Sequence, residues 1–478
     1  MVADALSKFS NILNQERFYY QESDLPPDAL GPLRMDKMGL PSFRIRPAKD
    51  IGWLFKGAGK MLNQKNRCVL TAVAIILLVL SIIFGYKSEK YAVIFDAGST
   101  GSRVHVFRFN KNMELLPIGK KIEYVKEISP GLSAYAEKPK DAAQSLEPLL
   151  HGAEGVVSKE LQSKTPLELG ATAGLRMLKG HQADEILQAK VRNLFKSESI
   201  IRTKDEWVTI LNGTQEGSYM WAAMNYLLGN LGKSYKNTTA TIDLGGGSVQ
   251  MAYAISKEQF EKAPENPDGE PYVLQKHLIK RYYYLYVHSY LNYGQLAGRA
   301  EIFKTTKNDS NPCVLQGYDG YYSYGGVEYR VQAPANGSSV WECQKLAGEA
   351  LNITAPCKYD NCTFNGAWNG GGGYGFDTLH ASSFFYDIAV QVDIIDPVAS
   401  TLETKPIEYL NKAIFICELN VDDIKSIFPN AEDRDIPYLC MDLVYQYTLL
   451  VDGFGLDPYK DITVTHDAKY KNYLAAAA

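Results

Sequence analysis

"IFDAGSTGSRVHVF" (residues 94–107) and "TIDLGGGSVQMAYA" (residues 241–254) decide how this chain folds, because they are two versions of one pattern. Each runs an apolar strand into an aspartate, Asp96 or Asp243, and adds one apolar residue. Each then crosses a turn made only of Gly, Ser and Thr into a second strand. Gly245, Gly246 and Gly247 in succession weaken a strand, since glycine loses more conformational freedom on folding than any other residue. They belong where a backbone must come close to a partner. Successive N–H groups in such a turn form a concave nest for phosphate oxygens. Ser99, Thr100, Ser102 and Ser248 add hydroxyl donors, and Arg103 adds fixed positive charge. An aspartate at the strand end suits a hard divalent cation that keeps most of its waters. Either loop alone also reads as a glycine-rich hairpin; the matched pair implies an internal duplication and two related lobes facing one another.

Other phosphate motifs are absent. No G-x-x-x-x-G-K-S/T occurs, and no G-x-G-x-x-G opens a helix. Hydrolysis further needs a group that activates water. "LNGTQEGSYMW" (211–221) places Glu216 between Gly213 and Gly217 at a helix start, with no adjacent lysine. A helix-entry acid is commonly there for the dipole, and it is also a candidate general base. "GATAGLRML" (170–178) ends a strand at Thr172, which offers a hydroxyl. Around these motifs strands and helices alternate, with helical periodicity at 141–161 and 213–231 and strands at 91–109 and 167–174, so the fold class is α/β. Residues 305–380 are rich in Gly, Asn, Tyr and Cys and read as loop-heavy decoration.

The chain's 478 residues carry a net charge of −4, which argues against a nucleic-acid platform. "CVLTAVAIILLVLSIIFGY" (68–86) holds no charged residue, and at about 1.5 Å per residue it nearly spans a hydrocarbon core. Lys49, Lys56, Lys60, Lys65 and Arg67 precede it. The positive-inside rule then makes 1–67 a cytosolic, mostly disordered tail and 68–86 a transmembrane signal anchor. The rest lies in a lumen or outside the cell, as a single-pass type II membrane protein, and 19 residues mildly favour thinner early-secretory membranes such as the Golgi. Six cysteines follow the span, and an even set in a translocated domain favours disulfides. Fifteen connectivities exist; proximity favours Cys313–Cys343, Cys357–Cys362 and Cys417–Cys440. Glycosylation signals stand at Asn212, Asn237, Asn308, Asn336, Asn352 and Asn361.

"VIFDAGSTGSR", "LGATAGLR", "GTQEGSY", "IDLGGGSVQMAY" and "WNGGGG" together resemble, in order, the five conserved regions of the apyrase, or nucleoside triphosphate diphosphohydrolase, family. The likeness runs from about Tyr91 to Tyr473 and is strongest to plant Golgi and plasma-membrane apyrases. It implies two RNase-H-like lobes of the actin, Hsp70 and hexokinase-like fold, lobe I as 88–212 plus 455–478 and lobe II as 213–454. It implies that Asp96 and Asp243 orient a calcium or magnesium ion through its waters. Ser99, Thr100, Gly101, Ser102 and Arg103 would hold one phosphate, and Gly245, Gly246, Gly247 and Ser248 another. Glu216 would be the general base, Ser248 and Gln250 would position the water, and Thr172 would polarise nearby. A nucleoside base would stack on Phe385 and Tyr386, with Arg434 beside it. Nucleoside tri- and diphosphates would be cut stepwise to the monophosphate. A Golgi diphosphatase preferring GDP or UDP is the alternative, and a non-catalytic nucleotide-binding module or a glycan-binding surface stand further off. Family members continue past Leu474 with a Trp-Pro-Leu-Gly segment and a helix on the first lobe. This sequence ends in four alanines, which leaves an impaired variant as a further expectation.

Overall fold

The computed structural model describes residues 89–476 except 113, 268, 307–309 and 471–472, with backbone alone from 467 onward. The expected membrane span lies outside the described residues, among which no helix is long and apolar enough to cross a membrane. Residues 91–109 and 115–476 belong to one compact unit. The turn 110–114 belongs to another and is closed by Asn110, whose Oδ1 accepts from the amides of Asn112 and Glu114.

The large unit is built on two sheets of one design. In the first, β1 (Lys90–Ala97), β2 (Ser102–Phe109), β3 (Glu123–Ile128), β4 (Leu167–Ala171) and β5 (Val208–Ile210) lie in the order β3-β2-β1-β4-β5. In the second, β6 (Ala240–Leu244), β7 (Ser248–Ile255), β8 (Arg281–Leu291), β9 (Leu379–Ser383) and β10 (Ile462–Thr465) repeat it as β8-β7-β6-β9-β10. In each sheet the third strand runs antiparallel to the second, and the fourth parallel to the first and to the fifth. The second sheet adds an edge strand at either end, Val273–Leu278 and Thr401–Thr404. Each lobe's aspartate therefore ends the central strand of a mixed sheet. Those strands are buried on both faces, which explains their unbroken apolar runs.

One boundary differs from expectation. The resemblance places residues 455–478 in the first lobe, but Ile462–Thr465 pairs in parallel with β9 of the second. Its buried Ile462 and Val464 complete that core, beside Phe385, Ile388 and Leu443. The three disulfides pair as proximity favoured. Residues 305–380 hold more regular structure than their texture shows, with a hairpin (Asp319–Tyr324 and Val327–Gln332) and a helix, Val340–Leu351. That helix buries Val340, Cys343, Ala347, Gly348 and Leu351 at three- and four-residue spacing, a helical stripe that the surrounding Gly-, Asn- and Tyr-rich texture obscures.

Candidate active site

Asp96, Asp243 and Glu216 line one cleft of about 350 Å³ between the two sheets' glycine loops. The second loop shows how a sequence makes a phosphate cradle. Helix α1 (Gly213–Leu227) lies before β6, and helix α2 (Gln295–Thr305) follows β8. The amide of Gln295 donates to the carbonyl of Gly245, and those of Leu296 and Ala297 donate to the carbonyl of Gly246. Asn292 donates to the carbonyl of Gly247. All three loop carbonyls are thus turned into protein. The amide of Gly245 closes the turn on Ser248, while no backbone bond among the described residues uses the amides of Gly246 and Gly247. Two donors at a strand-to-strand turn are the nest the sequence predicts.

None of these glycines needs a left-handed backbone; close approach is what selects Gly246 and Gly247. A Cβ on Gly246 would stand 2.8 Å from both Ser99 Oγ and Thr100 Cγ2 of the other loop. One on Gly247 would meet Met177 Cε at 2.8 Å and Ala173 Cβ at 3.1 Å. The two loops touch each other, which the sequence did not reveal.

The first loop presents Gly98, Ser99, Thr100 and Arg103 to the cleft, but not Gly101 or Ser102. A Cβ on Gly101 would lie 2.7 Å from the Ile128 carbonyl, and Ser102 is fully buried opposite Ile128, its Oγ unbonded. These two seat the hairpin on β3. Arg103 bonds Glu127 at 2.7 Å and stands 3.9 Å from Asp96 Oδ2.

Glu216 sits in the first turn of α1, where the dipole favours negative charge. Asn212 and Gln215 form a reciprocal capping box there, and Glu270 accepts from the amide and hydroxyl of Thr214. The base candidate is not without a cation, as its lack of an adjacent lysine implied. Arg176 Nη2 donates to Glu216 Oε2 at 2.8 Å and to Ser248 Oγ at 3.1 Å. Gln250, buried behind them, donates from Nε2 to Ser248 Oγ at 2.6 Å and to Glu216 Oε2 at 3.3 Å. Thr172 borders the cleft, its amide bonded to the carbonyl of Ala97. Asp243 Oδ1 accepts from Ser383 Oγ at 2.6 Å.

The far wall belongs to helix α3 (Phe384–Gln391) and residues 432–435. Here the expected stacking residues shift. Phe384 faces the cleft, whereas Phe385 is buried edge-on to Tyr409. Tyr386 donates its hydroxyl to the carbonyl of Ala399 and does not line the cleft. Arg434 lines it, bonded to Glu432 at 2.8 Å. Asp387 lines the cleft yet is largely walled by protein. That desolvation pushes its carboxyl up to about 6, against the pull of His466 and Arg103. Beneath, Arg299 is buried between Asp435 at 2.8 Å and Asp442 at 2.5 Å. Sequence reasoning singled out none of Arg176, Ser383 and Asp387, although Arg176 lies in "GATAGLRML" and the other two flank the expected stacking residues.

Among the described residues no group of three or more His, Cys, Asp or Glu side chains is placed to hold a bare metal ion. Two carboxylates on one cleft beside hydroxyls and free amides do fit an ion that arrives hydrated and shares the substrate's phosphates.

Comparison with known proteins agrees with this geometry. The model of the GDA1/CD39 (nucleoside phosphatase) family matches residues 83–476. An apyrase of Solanum tuberosum is 66% identical over 433 residues, covering 87% of this chain and 95% of that protein. A nucleoside-triphosphatase of Pisum sativum is 49% identical over 392 residues, 82% of this chain and 86% of that one. Among solved structures, a nucleoside triphosphate hydrolase from Neospora caninum matches with a TM-score of 0.56 at 14% identity, over 85% of this chain and 94% of that one. At that identity the match speaks for the fold alone.

Proposed function

The chain belongs to the GDA1/CD39 (nucleoside phosphatase) family, and from that premise we propose how its cleft works. The protein is an apyrase, hydrolysing nucleoside tri- and diphosphates to the monophosphate. The observation that carries the reading of the site is the hydrogen-bonded set Glu216, Arg176, Ser248 and Gln250 beside two opposed glycine loops. The amides of Gly246 and Gly247, with the hydroxyls of Ser99, Thr100 and Ser248, hold the phosphate oxygens. Glu216 takes a proton from water, whose oxygen bonds to the terminal phosphorus as the bridging P–O bond breaks. Arg176 and Gln250 fix the carboxylate's orientation, and Ser248 holds the water on the line of attack. Positioning and charge neutralisation supply most of the rate. Asp96 and Asp243 would hold a calcium or magnesium ion through its waters, and that ion would offset phosphate charge.

Placement across a membrane is a further proposal. It rests on the three disulfides and on the solvent-facing positions of Asn212, Asn237, Asn336, Asn352 and Asn361. The domain then works in the Golgi lumen or outside the cell, anchored by residues 68–86. A glycosidase-sensitive mass shift of the expressed chain is the expected result.

Glu216→Gln tests the chemistry. Loss of general-base assistance lowers kcat about 10³-fold while nucleotide binding survives. Retained turnover would remove Glu216 from the mechanism.

A further inference from the structure

Ser383 occupies a backbone conformation that side chains avoid. Its φ is 61° and ψ −124°, which glycine adopts without steric cost and serine does not. Among the described residues seven non-glycine positions have positive φ, and only this one lines the cleft. Its hydroxyl donates to Asp243 Oδ1 at 2.6 Å, a short charge-assisted bond. The neighbouring Ser382 cannot replace it. That residue is in register with Asp243, but its Oγ lies 3.5 Å from the carboxylate and as far from the Ile242 carbonyl.

The first lobe supplies a built-in control. There Asp96 is in register with Gly170, and Ala171 holds the place that Ser383 holds in the second lobe. Neither residue carries a hydroxyl, and Arg103 approaches Asp96 at 3.9 Å. Asp243 has no ion pair among the described residues. One aspartate is faced by a cation, the other by a serine.

We infer that Ser383 is a positioning residue, kept in a strained conformation so that its hydroxyl fixes the Asp243 carboxylate toward the hydrated divalent ion. The inference rests on the proposed role of Asp243. With Oδ1 held by Ser383, Oδ2 would be left to accept from one of the ion's waters. Without the hydroxyl the carboxylate turns about χ2, and the ion is held less firmly.

The test uses the full chain with Ser383→Gly, Ser383→Ala and Asp243→Asn. In Ser383→Gly the strain is relieved and the hydroxyl lost. Its melting temperature is expected to hold or rise. The calcium concentration for half-maximal activity rises about tenfold, the scale of one charged hydrogen bond. Calorimetric binding of calcium with a non-hydrolysable nucleotide weakens by the same factor. Ser383→Ala shows the same weakening and melts lower than Ser383→Gly. Wild-type calcium dependence in Ser383→Gly overturns the positioning role, and a lower melting point than Ser383→Ala overturns the strain. Asp243→Asn separates the two readings. If it raises the calcium requirement while Ser383→Gly does not, only the Ser383 inference falls. If it changes nothing, the role of Asp243 falls and takes the inference with it.

Discussion

Asp96 ends a strand whose parallel neighbour offers only Gly170 and Ala171, and its nearby cation is Arg103 of its own hairpin. Asp243 ends the matching strand of the second sheet, and its neighbour offers Ser382 and Ser383. The strand order is the same and the chemistry is not. Duplication conserves what the backbone ladder dictates, while each lobe settles its carboxylate with whatever side chains its own neighbours bring. The asymmetry extends to stability. The second lobe carries all three disulfides and a fully buried arginine with two carboxylates, whereas the first relies on its apolar core and a buried His105–Glu123 pair at 2.9 Å.

The largest effect is expected where burial is deepest. Arg299→Leu strands Asp435 and Asp442 and destabilises by about 3–5 kcal/mol. His105→Leu in the first lobe removes one buried hydrogen-bond partner and costs about 1–3 kcal/mol. Chemical denaturation of both variants checks the contrast; equal losses would break it. Next come the disulfides. Replacing Cys417 and Cys440 by alanine opens a loop of 23 residues, and replacing Cys357 and Cys362 opens one of 5. Loop entropy puts the costs at about 3.5 and about 2 kcal/mol, and thermal melts under matched conditions rank them.

Gly246→Ala drives a methyl into Ser99 and Thr100, whereas Gly245→Ala meets only the Ser248 carbonyl at 3.2 Å. A loss in kcat/KM of about 30-fold is expected for the first, roughly 2 kcal/mol, and at most a few-fold for the second. Steady-state kinetics decides whether contact between the loops matters. The smallest effect concerns Asp387. Its carboxyl is raised to about 6, so it is largely neutral at pH 5 and charged at pH 7. The groups acting on it are His466, Arg103, Glu432 and Asp435. Charging it adds repulsion toward a polyphosphate, so KM rises about threefold from pH 5 to pH 7, within the range for a screened charge. Asp387→Asn flattens that rise relative to the parent. The same raised value means that folding favours the protonated acid, so its contribution to stability falls as pH climbs from about 4 through 6.

Both hairpins and the disulfide pairing were legible because each is written in residues that lie close together in the chain. A strand, an aspartate and a small-residue turn need no distant information, and the cysteine pairs lie within 30 residues. What stayed hidden depends on long-range pairing. Arg176 reaches Glu216 from 40 residues away, and Ser383 reaches Asp243 from 140. The amides at the start of α2 clasp the glycine carbonyls only once β8 has paired with β7. Phe384 and Phe385 are indistinguishable as letters; the turn at Ser383 decides which of them faces the cleft. Nothing in the four β-branched residues "ITVT" says which sheet they join; the parallel pairing with β9 decides it.

That last strand sets an order of events during synthesis. The first sheet has all five of its shared strands once Ile210 has left the ribosome, whereas the second waits for Thr465. Domains generally fold as units, N-terminal first. The upstream half can therefore mature while its twin is still an open, apolar intermediate. Every cysteine bridge forms between positions 313 and 440, inside the stretch that must wait. Those thiols are thus open to pairing before the final strand locks, and a nascent chain released short of residue 462 would expose an incomplete sheet to chaperones.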